Sequence, residues 1–301
     1  MTGKFVISLD CEGKWGVADN LNGKNNRIDA KNLDQAYGFI FDLLEKYEIR
    51  AVFAFTSLFT VEESIVQSYA DEFTELCAMG FGWYAPMALM LKNREYDGWI
   101  GKNYFSRALR AGHEIGWHGF SHHTLQDSIH PTVIDFEISN GIKVAEMHGI
   151  KMDRLIFPRN QVGNLQKLKS AGFSGYRMAK HQIVPMSGNP WYRLLNEFNV
   201  VAKSQVVQSK GSDDLAAIPP GEFLNWPSGA RSLVPDAITI ARWKSILDDA
   251  SSTGGVAHLW LHPHNLITAP RMMNLLEAVV ERASKMIREE RLQNICFNDM
   301  D

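Results

Sequence analysis

Cysteine is scarce in this chain: Cys11, Cys77 and Cys296 are scattered through 301 residues with no paired spacing. That argues against a disulfide framework and fits a reducing compartment. No apolar run reaches the roughly 20 residues a membrane-spanning helix needs, so no integral membrane segment is expected. The start of the chain also lacks the charged, apolar and small-residue zones of a signal peptide, because Lys4-Phe5-Val6-Ile7-Ser8-Leu9-Asp10 runs straight into a strand pattern. The cytoplasm is the expected location. Charge of one sign is lacking as well: a net charge of −3 and a pI near 6.4 give no general reason to expect nucleic acid or a membrane surface, although local clusters can still exist. No repeat or low-complexity segment is evident. What remains is an ordinary globular composition, 45% hydrophobic, in a chain long enough to bury a substantial core.

Short apolar runs alternate with longer helical patterns, as in repeated βα units wrapped into a parallel sheet or barrel. Strands are predicted near 4–10, 51–56, 113–117, 153–157, 174–177, 256–261 and 293–297. Helical spacing is clearest at 31–47, where Leu33, Ala36, Tyr37, Ile40, Leu43, Leu44 and Tyr47 share a face. Similar patterns occupy 132–147, 162–171, 237–250 and 270–288. An aromatic-rich section, about 59–104 and including Trp83, Tyr84, Tyr96 and Trp99, reads first as an insertion completing its own small core and second as a lid over substrate. Region 185–235, with Pro185, Pro190, Pro219, Pro220, Pro227 and Pro235, reads as surface loops without a domain boundary. The whole chain, 1–301, is expected to be one domain.

The chemistry concentrates at predicted strand ends. His118 and His122 lie four apart after a short apolar segment; on a helical turn both rings would reach one ion, and neutral imidazole is a favoured zinc ligand. Asp10 and Glu12 lie two apart at the end of the first strand, supplying a metal ligand and a general base. Arg159, after the strand ending in Phe157-Pro158, is placed to hold one of these acids ionised. In the run from Val256 to Asn265, strand alternation puts His258, Trp260 and His262 on one face. His262, nearer the mouth, is the candidate general acid; His258 reads as a hydrogen-bonded core histidine, and His264 as a loop contact or a solvated side chain.

These segments, in this order, resemble the polysaccharide deacetylase, or carbohydrate esterase family 4, superfamily. Ser8-Leu9-Asp10-Cys11-Glu12-Gly13 is similar to its Thr-Phe-Asp-Asp-Gly motif, with Cys11 in place of the second aspartate and an acid-x-acid spacing that marks an atypical branch. His118-Gly119-Phe120-Ser121-His122 resembles its His-Ser/Thr-x-x-His motif, Gly112 to Gly116 the lead-in, Phe157-Pro158-Arg159 its Arg/Pro motif in altered order, and Leu261-His262 its final histidine motif. The resemblance implies a distorted (β/α)₇-type barrel with a long insertion between its second and third strands. It also implies metal-dependent removal of an acyl group, commonly acetyl, from a sugar. Carried over residue by residue, Glu12, His118 and His122 hold a divalent metal ion, expected to be Zn²⁺. Asp10 serves as base, Arg159 pairs with it, and His262 serves as acid; the swap of Asp10 and Glu12 stays open. The expected partner is a small-molecule or oligosaccharide substrate, including a nucleotide- or lipid-linked sugar, with no nucleic acid. Two alternatives stand beside this reading: an amidohydrolase or deformylase acting on a small amide, and a non-catalytic carbohydrate-binding descendant.

Overall fold

A computed structural model describes residues 2–184, 186, 189–206 and 214–300; Pro185 of the predicted loop region lies outside the described residues. The strands are β1 (Gly3–Cys11), β2 (Val52–Phe55), β3 (Glu114–Trp117), β4 (Arg154–Ile156), β5 (Gly175–Arg177), β6 (Ala216–Ile218), β7 (Glu222–Phe223), β8 (Val256–Leu261) and β9 (Leu292–Asn294). They form one sheet in the order β6-β5-β4-β3-β2-β1-β8-β7, every strand pair parallel, with β9 added to the lower part of β1. The two ends of this order, β6 and β7, are consecutive in the chain. Only Pro219, Pro220 and Gly221 separate them. The prolines have no N–H to extend a ladder, and Gly221 turns the chain at φ +71°, where a Cβ would stand 2.8 Å from the His258 carbonyl oxygen. The ring is thus closed by chain, with β6 and β7 acting as one bent stave. That makes seven staves, the distorted (β/α)₇ architecture expected from the resemblance.

Strand alternation builds the barrel interior in layers. Val6, Val52, Ala54, Ile156, Ile218 and Val256 form a separate buried apolar cluster together with Ile295, Phe297 and Met300 from the end of the chain. Above this plug the inward face turns polar: on β1 Val6 is followed by Ser8, Asp10 and then Glu12. On β8 Val256 is followed by His258, Trp260 and His262. The other face of β1, Phe5, Ile7, Leu9 and Cys11, packs into the large cluster shared with the helices. The helix Ala30–Lys46 shows how: Asp29 caps it by accepting from the Asn32 N–H at 2.8 Å, and its buried stripe runs Leu33, Ala36, Tyr37, Ile40, Phe41, Leu43 and Leu44.

Two expectations change here. The 59–104 insertion has no small core of its own: Phe59, Phe73, Tyr84 and Trp99 join the same buried cluster as the barrel helices. Region 185–235 is more than loops, for it contains the helix Pro190–Glu197 and the seventh stave. No helix among the described residues is long and apolar enough to cross a membrane.

Candidate active site

Glu12 leaves the end of β1 with its carboxylate fully buried between two imidazoles. Its Oε2 lies 3.0 Å from His118 Nε2 and 2.7 Å from His122 Nε2. Both histidines follow β3, but the turn between them is irregular, not the helical turn that their spacing predicts. Gly119 at φ +80° and His122 at φ +65° bend the backbone back on itself. A Cβ at Gly119 would stand 2.9 Å from Pro158, so the turn demands glycine twice over. What holds the turn is Glu137, fully buried on the helix Pro131–Met147. It accepts from the Phe120 and Ser121 N–H groups at 3.1 and 3.0 Å and from the Ser121 hydroxyl at 2.5 Å. Tyr84 of the insertion donates to the same carboxylate at 3.2 Å, which ties the insertion to the site.

The His118 Nδ1–H donates to the Ile156 carbonyl at 2.8 Å, an acceptor only, so the ring turns Nε2 toward Glu12. A lone pair facing a carboxylate is repulsive unless the ring is protonated or a cation lies between them. The three side chains offer ligand atoms that all lie within 4.8 Å of one another. His122 Nδ1 is buried with no hydrogen-bond partner. Two neutral imidazoles and a carboxylate are a donor set that suits zinc and similar divalent ions. Without a cation, burial opposes the Glu12 charge but His122, His262 and the histidine hydrogen bonds outweigh it, holding the carboxyl well below its usual range. At His118 burial opposes protonation, and the Glu12 bond with the Asp10 and Glu12 charges overcomes it, so this pKa rises. At His122 burial wins and the pKa falls. The pocket is therefore matched to positive charge at its centre.

Asp10 occupies a different environment. Arg177, at the end of β5, donates to it in a two-pronged pair, 2.8 Å to Oδ1 and 2.7 Å to Oδ2, with both side chains buried. The guanidinium also donates to Ser8 and Asn160 and lies 4.5 Å from the Trp260 ring. Burial would raise the Asp10 pKa, but Arg177 and the nearby His118 and His262 bring it below the usual value. Arg159, which the sequence pointed to for this pair, does not make it. It sits in a left-handed turn at φ +56°, reaches Asp19 at 2.7 Å and covers the Trp83 ring at 4.8 Å. The backbone turns left-handed at Arg159 and Asn160, so Arg159 reaches Asp19 and Trp83 while Arg177, on β5, pairs with Asp10.

His262 stands at the rim, about a quarter exposed. Its Nδ1–H donates to Asn265 at 3.1 Å, leaving Nε2 to face Asp10 at 3.9 Å and Glu12 Oε1 at 3.8 Å. His258 below it is a core histidine as expected, bonded to Ser8 at 2.9 Å and the Pro219 carbonyl at 2.8 Å. His264 is neither a loop contact nor solvated: it is buried, with Nδ1 3.7 Å from Glu12 Oε1 and no hydrogen bond. Trp83 lies 6.2 Å from the His122 ring and walls the site on the insertion side. Arg177 and Glu137 escaped the sequence reading; His264 was read as a loop contact or a solvated side chain, and Trp83 fell in the section read second as a lid over substrate.

Comparisons with known proteins bear on the family and the fold. A family model described as polysaccharide deacetylase matches residues 29–179, half of the chain. The match includes His118, His122 and Arg177, starts after Glu12 and ends before His262. Among solved structures, the Puue allantoinase is 12% identical, with 99% of this chain and 88% of that chain covered and a TM-score of 0.59. A candidate polysaccharide deacetylase from Mycobacterium smegmatis is 13% identical, with 97% and 93% covered and a TM-score of 0.57. At these identities the likeness concerns the fold alone. Among curated proteins there is no significant sequence match.

Proposed function

Because the chain belongs to the polysaccharide deacetylase family, we propose that it is a metal-dependent hydrolase that removes an acyl group, N-acetyl in the first instance, from a sugar or glycan intermediate. The observation that carries this reading is the buried carboxylate of Glu12 between two imidazoles, with a rim histidine within 4 Å of both it and a second, separately paired carboxylate. Glu12, His118 and His122 are the residues that would hold the ion, and Zn²⁺ suits their donor set. A divalent cation supplies Lewis acidity toward the acyl oxygen and lowers the pKa of water beside it.

The chain's own groups then divide the proton work. Asp10, kept ionised by Arg177, accepts a proton from the attacking water. Its fork with Arg177 fixes the carboxylate plane, so the base needs no reorientation during reaction. His262, its far nitrogen tied to Asn265, presents Nε2 where it can give a proton to the leaving nitrogen, without which an amine departs poorly. The bonding pattern supports Asp10 as base and Glu12 as ligand over the reverse: Asp10's oxygens are both occupied by Arg177, while Glu12's face the histidines. Arg159, with Trp83, belongs to the substrate wall in this reading.

The test is release of acetate from a panel of N- and O-acetylated sugars by purified protein, before and after chelation and with zinc restored. Turnover that disappears on chelation and returns with zinc supports the proposal; turnover indifferent to rigorous chelation contradicts it. Small amides and formamides belong in the same panel, because the fold does not choose between them and sugar amides.

A further inference from the structure

The helix Pro190–Glu197 is amphipathic with its apolar side turned outward. At 100° per residue Trp191, Leu195 and Phe198 fall on one stripe, and they are 73%, 69% and 44% exposed. Val201 and Val206, in the chain that follows, are 71% and 80% exposed. The opposite stripe, Tyr192, Arg193 and Asn196, faces a cleft of about 490 Å³ that leads to His262. A core helix would present these faces the other way round. Exposed apolar surface of this kind marks a contact with a partner or a membrane.

The cleft on the inner side of the helix is cationic. Lys180 and Arg231 of its lining and the buried Arg242 behind them share two carboxylates, Glu197 and Glu222, so this network carries one more positive than negative charge. Arg159 stands at the mouth in a partly exposed ion pair with Asp19, so it adds a donor there without adding to the net charge. Trp260 and Phe223 supply the apolar surface between these cations and His262. One helix therefore separates an outward apolar stripe from an inward positive cleft, and the cleft ends at the acid.

We propose that this face docks on a lipid bilayer and that the acylated sugar arrives attached to a lipid phosphate. The apolar stripe enters the acyl-chain boundary, the cationic cleft takes the phosphate, and the sugar extends inward to His262 and Asp10. Charge complementarity and the joint presence of both features single out this occupant. A neutral polymer uses neither the stripe nor the excess charge. A nucleotide-linked sugar uses only the charge, and a second copy of the chain uses only the stripe. The sugar end of the proposal rests on the deacetylase reading, whereas docking does not, so vesicle binding measured without any substrate separates the two.

The experiment is flotation of the full-length protein with phosphatidylcholine vesicles, with and without phosphatidylglycerol, at low and high salt. Wild type is expected to float with the anionic vesicles and to be released by salt, and a Trp191→Asp, Leu195→Asp double variant to partition at least about tenfold more weakly. Circular dichroism and bound metal matching wild type show that the variant is folded. The proposal is overturned if wild type stays behind at every composition, or if the double variant floats as well as wild type. Equal binding to neutral and anionic vesicles overturns the phosphate half. A wild-type dimer that the double variant dissociates, with no vesicle binding, assigns the stripe to a second copy instead.

Discussion

Around Glu12 the site is assembled from fully buried groups on rigid elements, while beyond His262 the cleft is lined by long cations from several elements beneath the helix Pro190–Glu197, whose outer face is bare. The first region is closed: Glu12, His118, His122, Asp10 and Arg177 are all under 4% exposed, and Glu137 locks the histidine turn from behind. The second is open, and its charges are only partly matched. A buried group whose charge depends on one partner is expensive to disturb, whereas a partly exposed cation is cheap to lose. The contrast assigns chemistry to the closed region and substrate choice to the open one, and it ranks what substitutions should do.

The largest effect is expected at the closed end. His118→Ala should abolish both bound metal and turnover, lowering activity by more than about 10³-fold, since a missing ligand removes the ion with its chemistry. Metal analysis beside the acetate assay checks this. At the boundary between the regions, His262→Gln should lower kcat by about 10²- to 10⁴-fold while metal content stays at the wild-type level. A mutant that loses the metal as well would move His262 into the closed set and erase the distinction.

The two arginines sharpen the comparison further. Arg177→Met leaves the buried Asp10 carboxylate without its paired guanidinium, a loss that typically costs about 3–5 kcal/mol of stability. Arg159→Met removes a partly exposed pair with Asp19, worth about 0–1 kcal/mol. Urea titration of both variants should separate them clearly. Because Arg177 lowers the Asp10 pKa, its removal should also move the acid limb of the rate profile to higher pH.

The smallest effect concerns pH and stability. Burial lowers the His258 pKa from 6.5 to about 3 and the His113 pKa to about 4. Both rings are neutral in the folded chain where the unfolded chain would protonate them, so the unfolded state binds more protons below the unfolded value. Their contribution is present above about pH 6.5 and is lost as pH falls toward their folded values. Each group gives a slope of at most about 1.4 kcal/mol per pH unit. Thermal melts down that range should fall less steeply for His258→Gln than for wild type, after comparison at neutral pH. An unchanged slope would mean that His258 is not held neutral by its burial and the nearby Arg177 charge.

The same contrast explains what could be read from the chain. β1, β2, β3 and β8 were legible as apolar runs, and Glu12, the two histidines and His262 lie at the ends of β1, β3 and β8. Arg177 was not, because its partner is Asp10, 167 residues away, and no local pattern distinguishes it from a solvated arginine. Glu137 looks like one more acid on a helix until the turn it caps is in view. The expected helical turn at His118 and His122 failed for a related reason: spacing says which residues share a ligand but not which backbone brings them together. β6 and β7 are three and two residues long and flank a Pro-Pro-Gly link, so their stave reads as loop.

The central claim is that Glu12, His118 and His122 form a divalent metal site on which turnover depends. Elemental analysis of purified wild type, Glu12→Ala and Asp10→Ala under matched conditions tests it most directly. The account predicts near-stoichiometric metal in wild type, its loss in Glu12→Ala and its retention in Asp10→Ala. Metal kept in Glu12→Ala and lost in Asp10→Ala, or a wild type that takes up no metal even with zinc supplied, would contradict it.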